Sequence, residues 1–139
     1  MRAAPWMILI GPAAAGKSTL GAGMAAATGR SFVDLDAIGA GYSHYTRPEL
    51  FVRVRAALAA VEHVVLVLPC ADEGRSVEVL RARSLAAKNT DWISADGHDF
   101  LAEWVRAPGN RTLATTVLHT DGELPAQTLA RLLTTCGTN

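Results

Sequence analysis

Gly11, Pro12, Ala13, Ala14, Ala15, Gly16, Lys17, Ser18 and Thr19 stand in the order G-x-x-x-x-G-K-S-T directly after the apolar run Ile8-Leu9-Ile10. These residue types at this spacing suit the binding of phosphate groups. A turn of small residues lets successive backbone N–H groups point at phosphate oxygens, and the helix expected to follow adds its positive N-terminal end. Lys17 contributes a mobile charge for the outer phosphates, and the Ser18 hydroxyl is suited to holding Mg²⁺. Thr19 is expected to pack or cap within the first helical turn. The whole run from Gly11 to Thr19 is therefore the candidate nucleotide-binding loop.

Two further sets of residues have the right chemistry. Asp34 and Asp36 close the apolar segment Phe32-Val33-Asp34-Leu35-Asp36, two positions apart, so a regular strand turns them to opposite faces and gives them different tasks. Arg75, Arg81 and Arg83 fall on a polar segment from about Arg75 to Lys88 with helical character. His44, His63, His98 and His119 are scattered without metal-ligand spacing, and Trp92 and Trp104 are expected to pack rather than to stack on bases.

The elements that must position these groups follow from periodicity and punctuation. A buried strand over Trp6 to Ile10 leads into the loop, and a helix carrying Leu20, Met24 and Ala27 ends at Gly29. After the Phe32–Asp36 strand, Gly39-Ala40-Gly41 breaks the pattern. Pro48 then opens a helix through Leu50, Val54, Leu58 and Val61. Val64 to Leu68 is continuously apolar, which predicts a strand covered on both faces. The Arg75–Lys88 helix, an irregular segment to Gly97 and a short helix with Phe100, Leu101, Trp104 and Val105 come next, the last ended by Pro108-Gly109. A strand from Leu113 to His119, a Thr120-Asp121-Gly122 turn and a closing helix with Leu129, Leu132 and Leu133 inside complete the chain. Alternating strands and helices predict an α/β fold with a mainly parallel sheet between two helical layers.

Composition narrows the classes. With 139 residues, half of them apolar, the chain suits one domain with one core, residues 1–139. Thirteen basic residues balance thirteen acidic ones, so no net field draws it to nucleic acid or to an anionic membrane. The apolar stretch after Arg2 is too short for a signal peptide or a membrane span. Cys70 and Cys136 are isolated, as expected of reduced thiols, and the expected location is the cytoplasm.

In order along the chain, the phosphate loop, Asp34-x-Asp36, Gly39-x-Gly41 and the arginine helix resemble the shikimate kinase-like group of small P-loop kinases. The resemblance implies a three-layer α/β/α P-loop NTPase-type fold and transfer of the ATP γ-phosphoryl group to a hydroxyl acceptor. By position it gives Asp34 a share in holding Mg²⁺ and gives Asp36 the role of base at the acceptor hydroxyl. It also implies a lid over the nucleotide, here residues 84–97, with Arg81 and Arg83, in preference to Arg75, bringing charge to the transferred phosphate.

The chain departs from the group at three places: Ala14 and Ala40 stand where glycine is usual, and Asp36 and Gly39 lie three residues apart. The group has about one helix–strand unit in that interval, a crossover that needs a dozen or more residues. The stretch that would grip a carboxylate-bearing acceptor has no counterpart, so shikimate itself is expected to be a poor acceptor. Three functional classes remain open on the sequence: a small-molecule kinase with an unidentified hydroxyl acceptor, a nucleotide-binding protein without turnover, and an NTP hydrolase.

Overall fold

The computed structural model describes residues 6–12, 15–30, 48–88, 93 and 95–136. Within them the chain runs β1 (Met7–Ile10), α1 (Lys17–Thr28), α2 (Pro48–Leu58), β2 (His63–Leu68), α3 (Glu73–Ala86), α4 (Phe100–Arg106), α5 (Pro108–Thr112), β3 (Thr116–His119) and α6 (Pro125–Cys136). The fold is α/β, and the three described strands form a parallel sheet in the order β1-β2-β3. Met7 pairs with His63 and Ile10 with Leu66 on one side of β2, and Val65 pairs with Thr116 and Leu68 with His119 on the other. The expected strand over Phe32–Asp36 lies outside the described residues, as do Gly39 and Gly41.

The reason β2 sits in the centre is its composition. Val64, Val65, Leu66, Val67 and Leu68 are each buried to within 1% of full cover. A strand of β-branched and Leu side chains with no polar alternation can be buried only if both faces are covered. The helices fall into two packed pairs, α1 with α6 and α3 with α4. Both pairs contribute to the core around β2. Leu20 and Met24 from α1, Val77 and Leu80 from α3, Leu101, Trp104 and Val105 from α4, and Leu132 and Cys136 from α6 join β2 in one core cluster. The α1–α6 contact is close, since a Cβ on Gly23 would lie 2.9 Å from Leu129.

Helix boundaries have local causes. Asp72 caps α3 by accepting the Arg75 N–H at 2.8 Å, and Asp99 caps α4 by accepting the Ala102 N–H at 2.9 Å. The Asp99 carboxylate also accepts Arg81 Nη2 at 2.6 Å, tying α3 to the start of α4. Burial opposes ionisation of Asp99, but the Ala102 N–H and the Arg81 guanidinium outweigh it and hold its carboxyl below the usual carboxylate range.

The structure corrects several sequence-based boundaries. The helix carrying Phe100 to Val105 does stop before Pro108, α4 ending at Arg106, but Pro108 also begins a further short helix, α5, where a missing N–H costs nothing in the first turn. Asn110, 1% exposed, secures this joint by donating Nδ2 to the Trp104 carbonyl at 2.9 Å. The last strand starts at Thr116 rather than Leu113 because the Ala114 N–H is spent on Arg111 O in the turn after α5. Thr115 then joins the sheet, its N–H donating to Val64 O and its Oγ1 accepting the Val64 N–H. On α6, Leu132 is fully buried with Thr128 and Cys136, while Leu129 and Leu133 are half-buried beside them. On α1, Gly21 rather than Ala27 takes the third inner position. Among the described residues, no helix is long and apolar enough to cross a membrane.

Candidate functional site

β1 delivers the chain to its carboxyl end at Ile10, and Gly11 and Pro12 follow, Pro12 buried. Gly11 is pressed against the neighbouring strand so closely that a Cβ there would stand 2.7 Å from the Val67 carbonyl oxygen. Only glycine tolerates that approach. Ala15 turns inward, 2% exposed, and its N–H donates to Pro12 O at 3.3 Å. Gly16 has φ 92°, the left-handed region, and it caps α1, whose Leu20 N–H bonds to Gly16 O at 3.0 Å. Both glycines of G-x-x-x-x-G therefore have a backbone reason, one for close approach and one for positive φ.

Lys17 opens α1 and folds back so that Nζ donates to Gly11 O, closing a ring across the loop. Ser18 and Thr19 are exposed on the first turn of α1. Thr19 is thus not packed. Ala13 and Ala14 lie outside the described residues, as do Asp34 and Asp36. The structure therefore brings together Gly11, Pro12, Ala15, Gly16, Lys17, Ser18 and Thr19, seven of the nine loop positions.

The loop leaves the carboxyl end of β1, and ligand crevices in open parallel sheets form outside the carboxyl ends of the strands.

The carboxyl ends of β2 and β3 continue the same rim. The Thr120 N–H donates to Leu68 O at 3.0 Å and the Asp121 N–H to Pro69 O at 2.8 Å, sewing the two exits together. Arg75, in the first turn of α3, reaches Asp121 with an Nη2–Oδ2 distance of 3.2 Å. Its hydrogen bond to Asp121 raises the Arg75 pKa above the ordinary arginine value. The sequence reading preferred Arg81 and Arg83 to Arg75. In the structure those two lie further along α3, about 9 Å or more beyond Arg75 at 1.5 Å per residue. The Asp72 cap three residues before Arg75 was the available signal that this arginine begins its helix at the rim. Of the expected lid, Ile93 makes an isolated antiparallel bridge with Asp99, and residues 89–92 and 94 lie outside the described residues.

Cys70 and Cys136 are free thiols. Burial pushes the Cys136 thiol above its ordinary value, as expected of a packed rather than a reactive sulfur. Among the described residues there is no group of three or more His, Cys, Asp or Glu that could hold a metal ion. No protein-family model matches the chain, and no curated protein matches it.

The close approach at Gly11 gives a direct test of the loop geometry. Gly11→Ala puts a methyl group against a strand carbonyl that cannot rotate away, so it should cost about 1–3 kcal/mol in a urea melt. Unchanged stability would show that the loop yields without strain.

Proposed function

We propose that this chain binds ATP with Mg²⁺ on the Gly11–Thr19 loop of a P-loop NTPase-type fold and transfers a phosphoryl group to a small hydroxyl-bearing acceptor. The observation that carries the reading is the loop geometry. A glycine pressed on β2 at one end and a left-handed glycine opening α1 at the other enclose a lysine, all at the carboxyl end of β1. A left-handed glycine opening a helix of 12 residues, with a lysine on its first turn, suits the binding of a phosphate chain. When bound, the nucleotide supplies the phosphoryl group.

The chain's own residues supply the rest. Lys17 leaves Gly11 O to neutralise phosphate charge, and the Ser18 hydroxyl, exposed beside it, holds the metal together with Asp34. Asp36 accepts the acceptor's hydroxyl proton. Arg81 and Arg83 supply lid charge, and Arg75, already at the rim, joins them as a third candidate. A cytoplasmic location accords with the two free thiols.

A second reading, nucleotide binding without turnover, is favoured by one observation: the spacing of Asp36 and Gly39, which leaves no room for an acceptor-binding unit. Acceptor-independent ADP release would instead mark an NTP hydrolase. The carboxylates separate binding from transfer. Asp34→Asn should weaken the advantage that Mg²⁺ gives to ATP affinity, whereas Asp36→Asn should leave affinity nearly intact and lower only transfer. Titration calorimetry with and without Mg²⁺, paired with an ADP-release assay over a panel of small alcohols, reads both. Equal losses of affinity in the two variants would contradict the division of labour, and the absence of any acceptor-stimulated release would leave the binding-only reading.

A further inference from the structure

We propose that His119 is a proton-operated switch that loosens α6 from the carboxyl end of β3 when the imidazole becomes charged. The inference stands apart from the nucleotide reading.

His119 is the last residue of β3, half-buried, and its ring Nε2 is fully enclosed with no hydrogen-bond partner among the described residues. Its in-register partner on β2 is Leu68, which offers no charge. The cations that act on it come from two elements. Arg111 comes from α5 and Arg131 from α6, and both are close enough to oppose a charge on the ring. Arg131 is tied both to His119 and to Glu123. Its Nη2 donates to the His119 carbonyl oxygen, and its Nε donates at 3.2 Å to Glu123, which begins the turn into α6. Glu123 accepts Thr128 Oγ1 as well, so its carboxylate is already committed to holding α6 in place. On the following turn, Asp121 is engaged by Arg75.

A neutral ring tolerates this surrounding. A charged ring needs a partner for each N–H and a counter-charge, and finds two guanidinium groups and an enclosed nitrogen instead. The least costly relief is movement of Arg131 and, with it, the start of α6, which would admit water to the ring. Burial, followed by the coulombic effects of Arg111 and Arg131, moves the His119 pKa below the ordinary histidine value of 6.5. An unfolded or opened chain therefore binds the proton more readily than the closed one. Between that ordinary value and the lower folded one, stability falls as pH falls, and below the folded value the penalty is complete. The depressed Asp99 and Glu123 act only at lower pH, below the ordinary carboxylate range, and leave this window clear.

The test is hydrogen exchange of the whole chain, followed peptide by peptide and corrected for the intrinsic pH dependence of exchange. Between about pH 7.5 and about pH 5.5, α6 should open more readily relative to α3, by about tenfold for each unit by which the His119 pKa is displaced. His119→Gln and Arg111→Gln should each flatten that difference. The imidazole titration of the wild-type protein, read by NMR, needs no variant and covers the case in which His119→Gln fails to fold. A His119 that titrates at or above its ordinary value overturns the proposal, and so does α6 exchange that tracks α3 at both pH values.

Discussion

Lys17→Ala is expected to abolish the nucleotide-dependent rise in melting temperature. For wild-type chain at Mg-ATP a hundredfold above its dissociation constant, binding should stabilise the fold by about 2.7 kcal/mol. For a domain of this size that corresponds to roughly 3–6 °C. Lys17 is on the first turn of α1 and its Nζ already spans the loop to Gly11 O, so its removal deletes the mobile charge without touching the core. Without nucleotide the variant should stay folded, losing about 0.5–1.5 kcal/mol with the Nζ–Gly11 O hydrogen bond. A wild-type chain whose melting temperature no nucleoside triphosphate shifts would refute the phosphate-loop assignment. A shift that survives Lys17→Ala would place the nucleotide elsewhere.

The largest loss of stability is expected from Leu66→Ala. Leu66 is fully buried at the midpoint of β2 and packs within the cluster that both helix pairs share. Deleting three carbons there leaves a cavity that a strand held on both sides cannot collapse to fill. The cost should be about 2–5 kcal/mol. Against a total of about 5–15 kcal/mol for an ordinary domain, that is a large fraction of the whole stability. Equilibrium urea unfolding checks it, with a lower midpoint and an unchanged slope. Val117→Ala, at a position 41% exposed on β3, is the contrast and should move the midpoint little. Comparable losses at the two positions would mean that β2 is not the centre of the core.

The parts of the fold legible in the sequence were those where one local rule acts alone. Five apolar residues in a row at Val64–Leu68 can only be a strand covered on both faces, and both G-x-x-x-x-G glycines have a backbone reason that the motif encodes. Gly29 closes α1 by donating its N–H to Ala25 O, where a glycine stop was expected. The misread positions are those where two rules act at once. Pro108 follows the end of one helix and also starts another, and the buried Asn110 side chain, invisible to periodicity, secures the start. The Thr115 side chain substitutes for backbone at the edge of β3, which no propensity reveals.

At the candidate site the loop could be read because its residues are consecutive. Arg75 and Asp121 meet across 46 positions of sequence, and only the parallel pairing of β2 with β3 brings them together. The enclosed ring nitrogen of His119 is likewise a property of its neighbours rather than of its own position. Such pairings carry no local signature. They become visible once the sheet order is known.

The sequential order of the three described strands also governs how the protein is born. Among the described strands, β1 pairs with the segment that starts at His63, and β2 meets its second partner when the chain reaches Thr115, 51 residues beyond Val64. Both described ladders are parallel, so each must wait for a long loop to close. On the ribosome, the apolar segment Val64–Leu68 therefore emerges with the edge that β3 will pair still open until the chain reaches His119. The stretch that makes the finished core secure is the one most open to wrong partners during synthesis.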